Sequence, residues 1–156
     1  MERAVLILPV AFAALALAAG DDGNAGLLPD GPGKEVVAKM CVECHSVDRM
    51  RTLRISKDDW SDKVADMVDR GATGTDAEIE AVLNYLAANF GKDSKVWMNT
   101  APGIEMKALL GFKVAEVDAV VAYRKANGNF KEWSDLLKVP GLDQKNLEAK
   151  KDLMQF

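Results

Sequence analysis

The chain has 156 residues, 49% of them hydrophobic and 28% charged, which suits a soluble globular protein of one domain or two small ones. Its net charge of −4 removes any global reason to expect nucleic-acid binding by charge alone. Aromatic residues are few, at 6%, so most of the apolar bulk of any core is aliphatic.

Met1-Glu2-Arg3 precedes an apolar run over 4–19, broken only by Pro9 and followed by Gly20-Asp21-Asp22. The run is short for a membrane span and suits the core of a signal peptide over 1–20, with cleavage near Ala18 or Gly20. Arg3 is offset by Glu2, so an uncleaved anchor stays open as the second reading. No Cys follows the run directly, so a lipoprotein is not expected. The expected address is periplasmic or otherwise exported, with no membrane span after cleavage. Residues 21–33 are rich in Gly, Asp and Pro and read as a flexible leader.

From Lys34 the pattern turns helical, with Val36, Val37 and Met40 on one face, and runs into Cys41-Val42-Glu43-Cys44-His45. This is C-x-x-C-H, the attachment pattern of a c-type haem. Two thiols one helical turn apart can add to the two vinyl groups of a porphyrin, and the next His can ligate its iron. Both Cys of the chain and its one His lie in these five residues. A thioredoxin-like pair would want a βαβ setting, and a structural zinc would want four ligands. A plain disulfide would leave His45 unexplained. The expected cofactor is one covalent haem c, on Cys41 and Cys44, with His45 as axial ligand. Such export and such attachment agree, since bacterial c-type attachment takes place outside the cytoplasm.

Arg49, Arg51 and Arg54 follow the motif. Each is either a solvated loop charge or a partner for a haem propionate, which a planar guanidinium suits. Ser56-Lys57-Asp58-Asp59 predicts a capping box, and Trp60, Val64, Met67 and Val68 form one apolar stripe after it, closed by Gly71. Thr75-Asp76-Ala77-Glu78 predicts a second capping box, followed by the stripe Ile79, Val82, Leu83, Leu86 and Phe90, closed by Gly91.

The stretch 33–91, a helix running into C-x-x-C-H and a last amphipathic helix with Tyr85-Leu86, resembles the small class I cytochrome c domain. Trp60, Val64, Met67-Val68 and Arg70-Gly71-Ala72 also look like the haem subunits of periplasmic dehydrogenases. The resemblance implies Trp60 packed on the haem and Met67 as second axial ligand. With no second His in the chain, a bis-His haem is excluded, and Met, a rarer donor such as Lys, or an open position remains. Core packing is the competing role for Met67.

Residues 92–102 read as a linker. Beyond it, Leu110-Gly111-Phe112-Lys113-Val114 and Val139-Pro140-Gly141-Leu142-Asp143 are matching turns, each between short helical patterns. Ile104, Met106, Leu109, Leu110, Val117, Val120, Val121 and Tyr123 flank the first; Leu136, Leu137, Leu147 and Leu153 flank the second. Together with Asn99-Thr100-Ala101, Tyr123-Arg124, Asn127-Gly128-Asn129-Phe130 and Trp133-Ser134-Asp135-Leu136, they resemble the tandem helix-hairpin-helix domain. That fold is shared by the ComEA-type competence DNA receptor and the PsbU extrinsic subunit of photosystem II. DNA-binding members carry Gly-hydrophobic-Gly in the hairpin, whose amides cradle a phosphate. Here the second Gly is Lys113 in one hairpin and Asp143 in the other. From Val96 onward nine Lys and Arg stand against eight Asp and Glu, a net of +1 and no basic surface.

The sequence thus predicts an all-α protein: signal peptide 1–20, leader 21–33, haem domain 34–95 and helix-hairpin-helix domain 96–156. The expected work is one-electron transfer by a c-type cytochrome, not catalysis. The expected partner is a periplasmic dehydrogenase or a downstream carrier, met by an acidic haem domain of net −5 over 21–95 (ten basic against fifteen acidic residues), with the tail used for docking. Two alternatives stand beside it. One is a haem-bearing module whose helix-hairpin-helix domain binds DNA, the haem sensing redox state or a gas, with DNA the disfavoured partner. The other is a structural extrinsic subunit of a redox complex.

Overall fold

The computed structural model describes residues 25–156; the expected signal peptide lies outside the described residues. The helices are α1 (Lys34–Cys41), α2 (Asp48–Arg51), α3 (Lys57–Asp69), α4 (Asp76–Phe90), α5 (Gly103–Leu110), α6 (Val114–Asn127), α7 (Trp133–Leu136) and α8 (Gln144–Lys150). Two two-residue strands, β1 (Val96–Trp97) and β2 (Met154–Gln155), complete the regular structure. The described residues are mostly helical, as the periodicity predicts.

Helix starts follow the capping chemistry. Ser56 Oγ accepts the Asp59 amide at 3.2 Å while the Ser56 amide donates to Asp59 Oδ2 at 3.1 Å, opening α3. Thr75 and Glu78 repeat the exchange at 3.2 and 2.8 Å, opening α4. Each reciprocal pair satisfies two amides that the helix cannot. Glu78 also takes Lys39 Nζ at 2.7 Å, which ties α1 to α4. That bond, and then the Thr75 amide and hydroxyl, hold the Glu78 carboxyl down to about 2. Gly33, at φ +92, stands where α1 crosses α4: a Cβ there would lie 2.8 Å from the Ala81 carbonyl oxygen. Only glycine fits that backbone and that approach.

Two separate cores result. The first gathers Val37, Met40, Trp60, Val82, Leu86 and Phe90 from α1, α3 and α4. Trp60 is buried in it, and its Nε1 donates to the Phe90 carbonyl at 3.1 Å, satisfying an end carbonyl of α4. The leader is not loose throughout. Leu28 is fully buried, and the Tyr85 hydroxyl donates to the Pro29 carbonyl at 2.6 Å; burial pushes that phenol's pKa up.

The second core runs from Val96 to Met154 and includes Met98, Met106, Leu110, Leu136 and Leu147. It absorbs half of what reads as a linker, since Met98 and Ala101 are buried within it. Asn99 explains its place in the motif: its Nδ2 donates to the Phe130 carbonyl and its Oδ1 accepts the Phe130 amide, both at 2.8 Å. Arg124 Nη1 and Nη2 donate to the carbonyls of Met98 and Ala101 at 2.8 and 3.1 Å. β1 and β2 pair in parallel, Val96 opposite Met154 and Trp97 opposite Gln155, joining the two ends of this domain. Ile104, Val121, Leu137 and Leu153, expected on apolar faces, are exposed. For Ile104 on α5 the cause is length, since a two-turn helix has too few positions for a stripe to fix its own facing; Val121 lies on the longer α6, and nothing in its position explains its exposure.

Candidate functional site

α1 delivers Cys41 half-buried against the first core and leaves Cys44 and His45 exposed on the turn after it. Both thiols are free. Burial, and after it the nearby Cys44, push the Cys41 thiol up from its ordinary value. His45 Nδ1 lies 2.9 Å from the Ser46 carbonyl oxygen. With the proton on Nδ1 that bond is donated, and Nε2 is left as the ring's free nitrogen. Met67, on α3, is 36% exposed, beside Val68. Between α3 and α4 a cavity of about 240 Å³ is lined by Val64, Ala65, Val68, Ile79 and Leu83. Among the described residues, no three His, Cys, Asp or Glu side chains group so as to hold a metal ion by themselves.

The three arginines after the motif part company. Arg49 is exposed. Arg51, at 0% exposure, sends Nε to Glu105 Oε2 at 2.7 Å and Nη2 to Thr100 Oγ1 at 3.3 Å. Arg54 Nη2 reaches the other oxygen, Glu105 Oε1, at 2.7 Å, while its Nε donates to the Ser94 carbonyl at 3.0 Å. Both guanidinium carbons stand over the Phe90 ring, 5.5 and 5.7 Å from its centroid. Burial pulls the Arg51 pKa down, and Glu105 opposes it. Arg51 Nη1 is buried with no partner among the described residues. Glu105 lies on α5, so this cluster, with Arg51 and Glu105 fully buried and Arg54 part-buried, is the joint between the two cores.

The two hairpins lie side by side. In the first, α5 ends on Gly111 at φ +72, Phe112 is buried, and Lys113 starts α6. In the second, Gly141 has φ +81, Leu142 is buried, and Asp143 starts α8. Glycine takes each left-handed position, and the next residue anchors the turn in the core. Asn146 Nδ2 donates to the Leu110 carbonyl at 3.2 Å, linking one hairpin to the other. Glu116, 6% exposed, accepts the Lys113 amide at 2.8 Å and the Asp143 amide at 2.9 Å, one on each oxygen.

Residues 91–155 match the family described as the helix-hairpin-helix motif, and the two hairpins lie within that match. Among curated proteins the chain is similar to ComE operon protein 1 of Bacillus subtilis (strain 168), 36% identical over 58 residues, which are 37% of this chain and 28% of that protein. It is also similar to an uncharacterized protein of Haemophilus influenzae (strain ATCC 51907 / DSM 11121 / KW20 / Rd), 36% identical over 63 residues, 40% of this chain and 56% of the other. The chain therefore spans 28% and 56% of the lengths of these relatives. No solved structure matches it.

These matches overturn the expectation of an electron-transport cytochrome c. The family match lies on residues 91–155, and together with the similarity to a ComE operon protein it backs the alternative built on the helix-hairpin-helix domain better than one-electron transfer. The five-residue motif outweighed the tail in the sequence reading, although a motif for attaching a group says nothing of what the group is for. Among the described residues, no helix is long and apolar enough to cross a membrane. Sequence reasoning also missed Glu105 and Glu116. Both sit three residues past the helix N-cap, where an acid reads as a solvent-facing capping residue.

Proposed function

We propose that this is an exported DNA-binding protein, not an enzyme, whose helix-hairpin-helix domain contacts the duplex backbone and whose N-terminal module carries one covalent haem c as a redox or gas sensor. The observation that carries the DNA reading is the pair of adjacent hairpins inside the 91–155 match. The similarity to a ComE operon protein supports it. Export is supported by the apolar run over 4–19 and by the haem motif.

For the haem, Cys41 and Cys44 would supply the thioether sulfurs, and His45 and Met67 would ligate the iron. When bound, the group supplies an iron that changes oxidation state, and one that takes a diatomic ligand only where Met67 gives up its place. The residues fit it by their chemistry: two free thiols and an imidazole stand together at and after the end of α1, with Cys41 packed against the first core and Cys44 and His45 exposed.

Two experiments test this. The full chain should shift duplex DNA, with log K falling linearly as log salt rises; no shift at low salt overturns the DNA reading. Chain produced in a host that attaches c-type haem should hold haem through denaturing electrophoresis, and Cys41→Ser with Cys44→Ser should abolish it. Haem retained by the double variant, or absent from the parent, removes the haem reading and leaves the DNA reading standing.

A further inference from the structure

Glu116 stands where the two hairpins meet. It lies in the first turn of α6, and its side chain is buried. Oε2 accepts the Lys113 amide at 2.8 Å and Oε1 the Asp143 amide at 2.9 Å. Lys113 and Asp143 are the residues that start α6 and α8, so one carboxylate pins both helix starts. Its two oxygens share one carbon and cannot move apart, which fixes the two turns relative to each other. A second tie lies beside it, from Asn146 Nδ2 to the Leu110 carbonyl at 3.2 Å. The amides that follow, of Val114 and Ala115 on α6 and of Gln144 on α8, have no acceptor among the described residues. The tie therefore leaves each hairpin donors of its own.

We infer that the two hairpins meet a duplex as one preformed unit, and that Glu116 is the residue that positions them. This rests on the DNA-binding reading. Glu116 is buried and takes no part in the contact itself. Two turns already held in register lose their freedom once, on folding; two independent turns lose it again when the second one meets the DNA. The negative charge of Glu116 works against a phosphate nearby. Removing the residue therefore weakens binding if positioning dominates, and tightens it if charge does.

The test is fluorescence anisotropy of the full chain on a labelled duplex across a salt series, at a temperature where circular dichroism shows every variant folded. Glu116→Ala should weaken binding by about twofold to tenfold, the effect of ordering one more loop at the interface, and should flatten the slope of log K against log salt. Glu116→Gln, which keeps one of the two amides, should fall between the alanine variant and the parent. Val82→Ala lowers stability in the other core and should leave both affinity and slope unchanged. If Glu116→Ala binds as tightly as the parent or more tightly, or if Val82→Ala weakens binding as much, this inference fails while the DNA reading survives. If the parent does not bind at any salt, the DNA reading fails and takes this inference with it.

Discussion

Glu105→Ala should destabilise the chain by about 3–5 kcal/mol, the range for removing one partner of a buried ion pair. Glu105 is the one carboxylate between two guanidiniums, with 2.7 Å contacts to Arg51 and to Arg54. Arg51 is fully buried, so water cannot replace the lost acceptor without opening the joint. Arg54 is less dependent, because it keeps the carbonyls of Arg51, Leu53 and Ser94. The effect should therefore run mainly through Arg51. In a double-mutant cycle, Arg51→Met with Glu105→Met should cost less than Glu105→Ala alone, since an apolar pair leaves no orphaned charge. Equilibrium denaturation reads both. The cores on either side are separate, so Glu105→Ala should also uncouple their unfolding and broaden the transition relative to the parent's. A variant within 1 kcal/mol of the parent would mean that the joint tolerates a lone buried guanidinium.

The reach of the sequence can be judged on the same residues. Ser56 and Thr75 announced α3 and α4, because the capping exchange is local and its residues are adjacent in the chain. The hairpins were legible for the same reason: Gly111 and Gly141 mark left-handed turns that few other residues make. What was not legible depends on distant partners. Arg51 reads as a surface or propionate-facing charge until α5 brings Glu105 to it. The β1–β2 pair joins two-residue segments from opposite ends of the domain, too short for any alternation. For Glu116 a signal did exist. Replacing the second hairpin glycine by Lys113 and Asp143 changes what those amides face, and the carboxylate at Glu116 stands three residues past the first of them.

Glu116→Ala should cost about 2 kcal/mol. It orphans two amides, and an unmade hydrogen bond to a buried donor costs about 1–3 kcal/mol each. The lower end applies because Lys113 and Asp143 are themselves exposed, so water can reach part of each site. Glu116→Gln separates charge from geometry. Its single carbonyl oxygen can keep one amide, while its NH₂ group meets the other N–H donor to donor. The glutamine variant should therefore fall between alanine and the parent in stability. Amide hydrogen exchange gives the decisive reading. Protection at Lys113 and at Asp143 should both fall in the alanine variant, and at least one should fall in the glutamine variant, while amides in the middle of α4, in the other core, keep theirs. If both hairpin amides stay protected without the carboxylate, Glu116 does not hold the hairpins together, and they are set side by side by Phe112, Leu142 and the Asn146 bond alone.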